Sequence, residues 1–457
     1  MKRILIKNAH IINANNDLHG DILISDGIIE RIEGMIPESI CNTTVIDAAN
    51  QMVLPGGVDP HVHLDLPTPA GNSSDNFRTG SIAAISGGTT SIIDFVTPVK
   101  GESLIKALYN RKEIAKASLI DYSFHMGVTW WSKYVEDEIK QCIEEEGITS
   151  FKTYLAYKGG IGIEYEELDS IMNTVGKMGG LVTVHCEEGD KILSLQKKFI
   201  PEGKTSAIYH ALSRPANTES ESVKKVLELA AANKCPVYLV HISTKESLNH
   251  IIQARELGQL VFVETCPHYL LLDDSNYERP GPEGLKYIMS PPLRKKEDQD
   301  ALWKAMDDDL IQTVGTDHCP FNLTGQKDIG INDFSRVPNG VGGIENRLSL
   351  LYTYGVLTKK ISLNRMVELC CTNPAKIFGL KRKGMIAEGL DADLVIWNTQ
   401  GNSLISATNQ WQRCDYSIYE GFRVSGIPET IIVNGDICFQ KNNLISEPAG
   451  RFYPEYR

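Results

Sequence analysis

The run VLPGGVDPHVHLD, residues 53–65, decides the reading of this chain. Apolar residues lead into it, and it closes on His61-Val62-His63. Residues i and i+2 of a strand project to one face, so the two imidazoles emerge together where the strand ends. Outward from there, to about residue 384, short apolar runs alternate with amphipathic helical stretches such as ESLIKALYNRKEIAKA (102–117) and TESESVKKVLELAAANK (218–234). The further runs are TTSIIDF (89–95), DYSFHMGV (121–128), SFKTYLA (150–156), LVTVHCE (181–187), PVYLVHIS (236–243), VFVETCPHYL (261–270) and IQTVGTDH (311–318), which with the first make eight. Eight strand-then-helix units are the count of a (β/α)8 barrel, and near-continuous apolar strands suit a parallel sheet covered by helices. The same alternation also fits an open doubly wound sheet. No GxGxxG or P-loop pattern accompanies it to support a nucleotide site.

The two ends of the chain have another rhythm. ILIKNAHII (4–12), DILISDGIIERIEG (21–34) and TTVIDAAN (43–50) alternate apolar and polar residues between Gly and Asn punctuation, and GMIAEGLDADLVIWN (384–398) and ETIIVNGDICFQ (429–440) do so again. Neither end holds enough strands for a core of its own. They predict one small β-sandwich domain built from both ends. The expected organisation is residues 1–52 and 385–436 as the two parts of that domain, 53–384 as the barrel, and 437–457 as a tail.

Composition narrows the function. The net charge of −12 disfavours nucleic acid and anionic membrane as partners. No apolar run reaches the ~18 residues of a membrane span, and the amino terminus reads as a strand rather than a signal peptide. Ten cysteines without a CxxC pair, several inside apolar runs, read as buried thiols of a reducing cytoplasm.

In a barrel the chemistry gathers at the carboxyl ends of the strands. His61 and His63 lie there on strand one, Lys152 on strand four, His185 on strand five, His241 on strand six and Asp317 on strand eight. One histidine at a strand end is ordinarily structural. Four, with an aspartate, gathered from four strand ends read as a metal centre, and imidazole and carboxylate suit Zn2+ or a related divalent ion. Lys152 reads two ways. It is either an ammonium paired with a carboxylate, or a buried neutral amine that takes up CO2 as a carbamate and bridges two ions. His125, His268 and His318 read as supporting residues, and Cys319 as part of the loop after Asp317.

This constellation resembles the binuclear amidohydrolase superfamily, and within it the dihydropyrimidinase/D-hydantoinase family. The resemblance runs nearly end to end through PGGVDPHVHLDLP (55–67), GGTTSIIDF (87–95), EEEGITSFKTYLAYKG (144–159), VHCEEGD (184–190), YHALSRP (209–215), VETCPHYL (263–270), SPPLRKK (290–296), GTDHCPF (315–321), VPNG (337–340) and GLDADLVIW (389–397). It implies that His61, His63, Lys152 and Asp317 hold one ion and Lys152, His185 and His241 the other, with Lys152 as the bridging carbamate. The ions would be Zn2+, with Mn2+ or Co2+ as substitutes. Tyr157 matches the family tyrosine that stabilises the developing oxyanion. Ser290 and Asn339 match positions whose backbone binds the cyclic amide. Asp317 would be ligand and proton shuttle.

The implied reaction is hydrolysis of a dihydropyrimidine or 5-substituted hydantoin to the N-carbamoyl amino acid. The alternatives are an allantoinase or other cyclic-amide hydrolase, and a non-catalytic scaffold relative. Dihydroorotases and many allantoinases carry Arg two residues after the HxH pair, and in dihydroorotases it binds the substrate carboxylate. Here that place holds Asp65, read as a loop-fixing residue. The loop LPTPAGNSSDNFRTG (66–80) should shape the pocket, and Tyr154 stands where the family commonly has phenylalanine. A cytoplasmic homotetramer is expected, with the aromatic tail residues Phe452, Tyr453 and Tyr456 at a subunit interface or, as the alternative, folded back on their own subunit.

Overall fold

The computed structural model describes residues 2–38 and 43–455; Cys41 and Tyr456 lie outside them. Eight parallel strands follow one another around a barrel: Gly57–Val62, Thr89–Val96, Asp121–Gly127, Ser150–Tyr154, Leu181–His185, Val237–Leu239, Val261–Thr265 and Thr313–Val314. The last meets the first through a bridge between Val62 and His318, and His63 N donates to His318 O at 2.8 Å. All eight residues of Thr89–Val96 are buried, as expected where helices cover one face and the barrel interior the other. Helix Leu104–Ala115 starts on Ser103, whose hydroxyl accepts from Lys106 N, and Ala216–Asn233 is the 18-residue helix before the sixth strand.

Two strand expectations change in detail. The run 53–65 is two strands, Met52–Pro55 and Gly57–Val62. They part at Gly56, where a Cβ would come to 2.1 Å from Thr90 Oγ1. The run 261–270 ends as a strand at Thr265, and Pro267–Leu271 is a helix. Pro267 lacks the N–H a ladder needs but suits a helix's first turn. His268 therefore sits on that helix and not at a strand end.

The chain ends meet in one nine-stranded sheet with its own core. Arg3–Ile12 is its hub, pairing antiparallel with Asp17–Ser25 and parallel with both Thr43–Asp47 and Met52–Pro55. Met52–Pro55 then pairs with Leu394–Leu404, which joins the carboxyl-terminal strands to the amino-terminal ones. Pairing runs on through Asp436–Gln440 to Asn443–Leu444.

The tail turns back under its own barrel. Tyr122 N donates to Arg451 O, Tyr453 N to Tyr122 O and Glu455 N to Gly147 O. Phe452 lies against Tyr122 and Phe124, with ring centroids 6.1 and 6.0 Å away. The Glu455 carboxylate is buried and accepts from Thr149 N and the hydroxyls of Thr149 and Ser150. Phe452 and Tyr453 thus pack within the chain, at the end of the barrel opposite the strand tips.

Candidate metal centre

The six residues singled out at strand ends line one cavity of about 650 Å³ at the mouth of the barrel. His61 Nε2 and His63 Nε2 both lie 3.1 Å from Asp317 Oδ1. Across the cavity, His185 Nδ1 and His241 Nε2 face each other at 3.0 Å. One donor atom each from His61, His241 and Asp317 falls within 4.8 Å of the others. Tyr157, Ser290 and Asn339 line the same cavity.

Carboxylates behind the imidazoles decide which nitrogen faces inward. His61 Nδ1 sits 2.6 Å from Glu264 Oε1, leaving Nε2 to the cavity. His185 Nε2 sits 2.8 Å from Glu187 Oε2, leaving Nδ1. An imidazole fixed by a carboxylate on its far nitrogen is the usual arrangement of a metal-ligating histidine. Glu264 also accepts from His241 N at 3.0 Å and from the Tyr238 hydroxyl at 2.8 Å. Glu187 is held by Arg214; burial pushes its carboxyl up, but Arg214 and His185 bring it down to about 2.

Charge is set for a cation. Burial pushes His63, His185 and His241 below the usual imidazole range, so their lone pairs are free at neutral pH. Burial also opposes a charged His61, yet Glu264 and Asp317 outweigh it and hold His61 up to about 9. A divalent ion would take that proton's place. Asp317 is held well below the carboxylate range; burial opposes this and the His61 and His63 imidazoles prevail.

Lys152 is buried, its Nζ 5.0 Å from the Phe95 ring centre and 5.2 Å from that of Tyr154. Among the described residues no carboxylate comes within ion-pair reach of it. Burial lowers its amine from 10.5 to about 8. That raises the neutral fraction at pH 7 by about 300-fold, to roughly a tenth.

Three of these side chains sit on left-handed backbone: Tyr157 at φ +59°, His241 at +40° and Asp317 at +49°. Non-glycine residues adopt it at a cost, and they collect at active sites. Two of the supporting histidines, His125 and His318, are held by hydrogen bonds beside the cavity. His125 bonds Ser150 Oγ and Pro60 O, and His318 bonds Asp75 while its Nδ1 accepts from Gly343 N. Asp65 accepts from Asn72 Nδ2 in its own loop, while Leu66, Pro67, Thr68, Pro69 and Ala70 line the cavity. Its carboxylate holds the loop and does not line the cavity.

Sequence reasoning missed Glu264, Glu187 and Arg214. Glu264 carried a signal, a lone carboxylate inside the apolar run VFVET. Glu187 and Arg214, 27 positions apart, carried none that pairs them.

The amidohydrolase family profile matches residues 52–438. The D-hydantoinase of Geobacillus stearothermophilus is 42% identical over 448 residues, 97% of this chain and 94% of that protein. This chain belongs to the amidohydrolase family, in its dihydropyrimidinase and D-hydantoinase branch. The D-hydantoinase of Ralstonia pickettii is 40% identical over 98% of each chain. The crystal structure of dihydropyrimidinase from Brevibacillus agri NCHU1002 superimposes with a TM-score of 0.97 at 39% identity, covering 99% of this chain and 98% of that one. The family resemblance, the barrel and the second sheet from the chain ends are thus as the sequence implied.

Proposed function

We propose that this amidohydrolase opens the ring of a cyclic amide, a dihydropyrimidine or 5-substituted hydantoin, to give the N-carbamoyl amino acid. The observation that carries the reading is the cavity itself: four imidazoles, an aspartate and a lysine of lowered pKa share its wall, with two of the imidazoles backed by carboxylates. The names borne by its relatives, D-hydantoinase and dihydropyrimidinase, point to the same chemistry and do not favour an allantoinase. The filled ligand positions weigh against a non-catalytic scaffold.

His61, His63, Lys152 and Asp317 would hold one divalent ion, and Lys152, His185 and His241 the other, with Lys152 as a carbamate formed from CO2. The donor set fits Zn2+ first and Mn2+ or Co2+ as substitutes. When bound, such ions acidify water toward neutral pH and polarise a carbonyl. Asp317 accepts a proton from the attacking water and delivers it to the ring nitrogen as the C–N bond breaks. Tyr157 donates its hydroxyl to the carbonyl oxygen as negative charge grows there. Burial, partly offset by Arg214, pushes that phenol up to about 12, so it keeps its proton at working pH. The backbone of Ser290 and Asn339 would align the amide, and the wall of Leu66, Pro67, Ile161 and Val337 would take the ring substituent.

We place the enzyme in the cytoplasm as a homotetramer, on the family resemblance. Among the described residues no helix is long and apolar enough to cross a membrane. Side-by-side turnover of dihydrouracil, a racemic 5-substituted hydantoin and allantoin, with metal analysis of the same preparation, tests the reading. Ring opening of either of the first two, lost on chelation, is expected. Preferred turnover of allantoin, or full activity in metal-free protein, would overturn it.

A further inference from the structure

Imidazole and carboxylate donors meet a second time, outside the barrel, on the end sheet. His10 and His19 are Cα partners in the antiparallel pairing of Arg3–Ile12 with Asp17–Ser25. Their rings stack face to face, with centroids 4.4 Å apart and planes 9° from parallel. Asp17 lies two residues before His19, on the same face of its strand. Its Oδ1 sits 2.5 Å from His10 Nε2. One nitrogen of each ring and one Asp17 oxygen all fall within 4.8 Å of one another.

We propose that His10, Asp17 and His19 form a peripheral binding site for one borderline divalent transition-metal ion, such as Zn2+, Ni2+ or Cu2+. Two imidazoles and one carboxylate are the donors such ions select, whereas Mg2+ and Ca2+ favour all-oxygen shells. Metal–nitrogen bonds of about 2.0–2.1 Å in a tetrahedral site put donors roughly 3.4 Å apart. An ion therefore needs His10 Nε2 and Asp17 Oδ1, now 2.5 Å apart, to part by about an ångström, with His19 drawn in from within 4.8 Å. Rotation of exposed side chains supplies that without moving the strands. Asp17 and His19 are exposed and His10 is half-buried, so water can complete the shell and an ion can enter.

A backbone device creates the arrangement. Between Ile6 and Ala9 the first strand gains one residue over its partner: Ile6 pairs with Ile22, but Ala9 with Gly20. Continued without that bulge, the register would set His10 opposite Leu18 and His19 opposite Ala9, and the two imidazoles would leave opposite faces of the sheet. Asn8 carries the bulge in left-handed backbone, φ +53°. It is held by Asp21, which accepts from Asn8 N, and by Asp47, which accepts from Asn8 Nδ2. A bulge re-aims side chains, and here it brings three donors together.

The site shares no residue with the barrel centre, so its loading is separable from hydrolysis. The test is a Zn2+ titration of the holoenzyme by calorimetry and elemental analysis, with His19→Ala and Asp17→Asn beside it. The wild type should bind one more equivalent per chain than His19→Ala, while cyclic-amide turnover and melting temperature without added metal stay equal. Added Cu2+ should show two-nitrogen coupling in its electron paramagnetic resonance spectrum in the wild type and one in His19→Ala. Asp17→Asn, which keeps both imidazoles, should bind Zn2+ more weakly. Equal metal equivalents in wild type and His19→Ala, or an unchanged Cu2+ spectrum, would overturn the proposal whatever the enzyme hydrolyses.

Discussion

Replacing Glu264 by Gln separates the charge behind the barrel centre from its shape. Glu264 is fully buried, and its Oε1 takes two donors, His61 Nδ1 at 2.6 Å and His241 N at 3.0 Å. Its Oε2 takes the Tyr238 hydroxyl, which also lies 2.5 Å from Thr313 Oγ1. A glutamine can keep its carbonyl oxygen where Oε1 was and turn its amide toward Tyr238, which then donates to Thr313. The contacts survive, but the charge-assisted bond to His61 becomes a neutral one, a difference of about 1–2 kcal/mol. Outer-shell partners of metal ligands are worth about 10–100-fold in affinity or activity, which agrees with that figure. Glu264→Gln should therefore fold normally, bind metal about 10–100-fold more weakly in competition with a chelator, and recover most of its turnover when metal is in excess. Glu264→Ala differs in kind. It strands the His241 N–H and His61 Nδ1, and each buried unpaired donor costs about 1–3 kcal/mol, so its melting temperature should drop as well. Wild-type metal affinity in Glu264→Gln would refute the idea that this carboxylate sets the His61 ligand.

Four further outcomes are expected. Lys152→Ala should lose activity together with bound metal, and short carboxylic acids should restore part of both; full metal content in the variant, by elemental analysis, would count against the bridging carbamate. Asp317→Asn should retain some metal, because an amide oxygen still ligates, yet lose about two to four decades of kcat, read in steady-state hydrolysis. A chain ending at Ser446 gives up the hydrogen bonds of Arg451, Tyr453 and Glu455 with the barrel floor and should lose about 2–4 kcal/mol in urea unfolding, with its assembly state by light scattering unchanged. Asp121 has its carboxyl brought down to about 2: burial opposes this, but Lys383 and Arg451 outweigh it. A depressed folded pKa means stability that is full above about pH 4 and lost as pH falls toward 2, here about 2 kcal/mol; Asp121→Asn should lose correspondingly less between pH 5 and pH 2.5 in the same unfolding assay.

What was legible in the sequence is what repeats or ends locally. Each barrel strand announces itself by an apolar run, and each proposed ligand by standing at or near the run's end, so His61, His63, Lys152, His185, His241 and Asp317 can be gathered from the sequence alone. Glu264 was hidden because its partner His61 is 203 positions away and its own run looks like any buried strand with one polar residue. The partner of the tail was illegible for a different reason. Three aromatics in a short polar terminus do signal burial, but pattern cannot say against what, and the answer for Phe452 is Tyr122 and Phe124 of the same chain. The division of 53–65 at Gly56 was equally out of reach, since what excludes a Cβ there is Thr90 on the next barrel strand.

The left-handed residues show how these layers depend on each other. A glycine would hold φ near +40° more cheaply than a histidine, yet position 241 needs an imidazole, so the backbone must be held by something else. Glu264 supplies the hold, accepting from His241 N while it orients His61. One carboxylate from the seventh strand thus sets the tautomer of the proposed ligand His61 and the backbone of the proposed ligand His241. The two proposed ion positions are therefore coupled through the barrel wall as well as through Lys152 between them. It follows that loss of Glu264 should weaken both ions together, in a ratio near one to one. Loss of Glu187, which bonds His185 directly and is itself held by Arg214, should weaken one ion first.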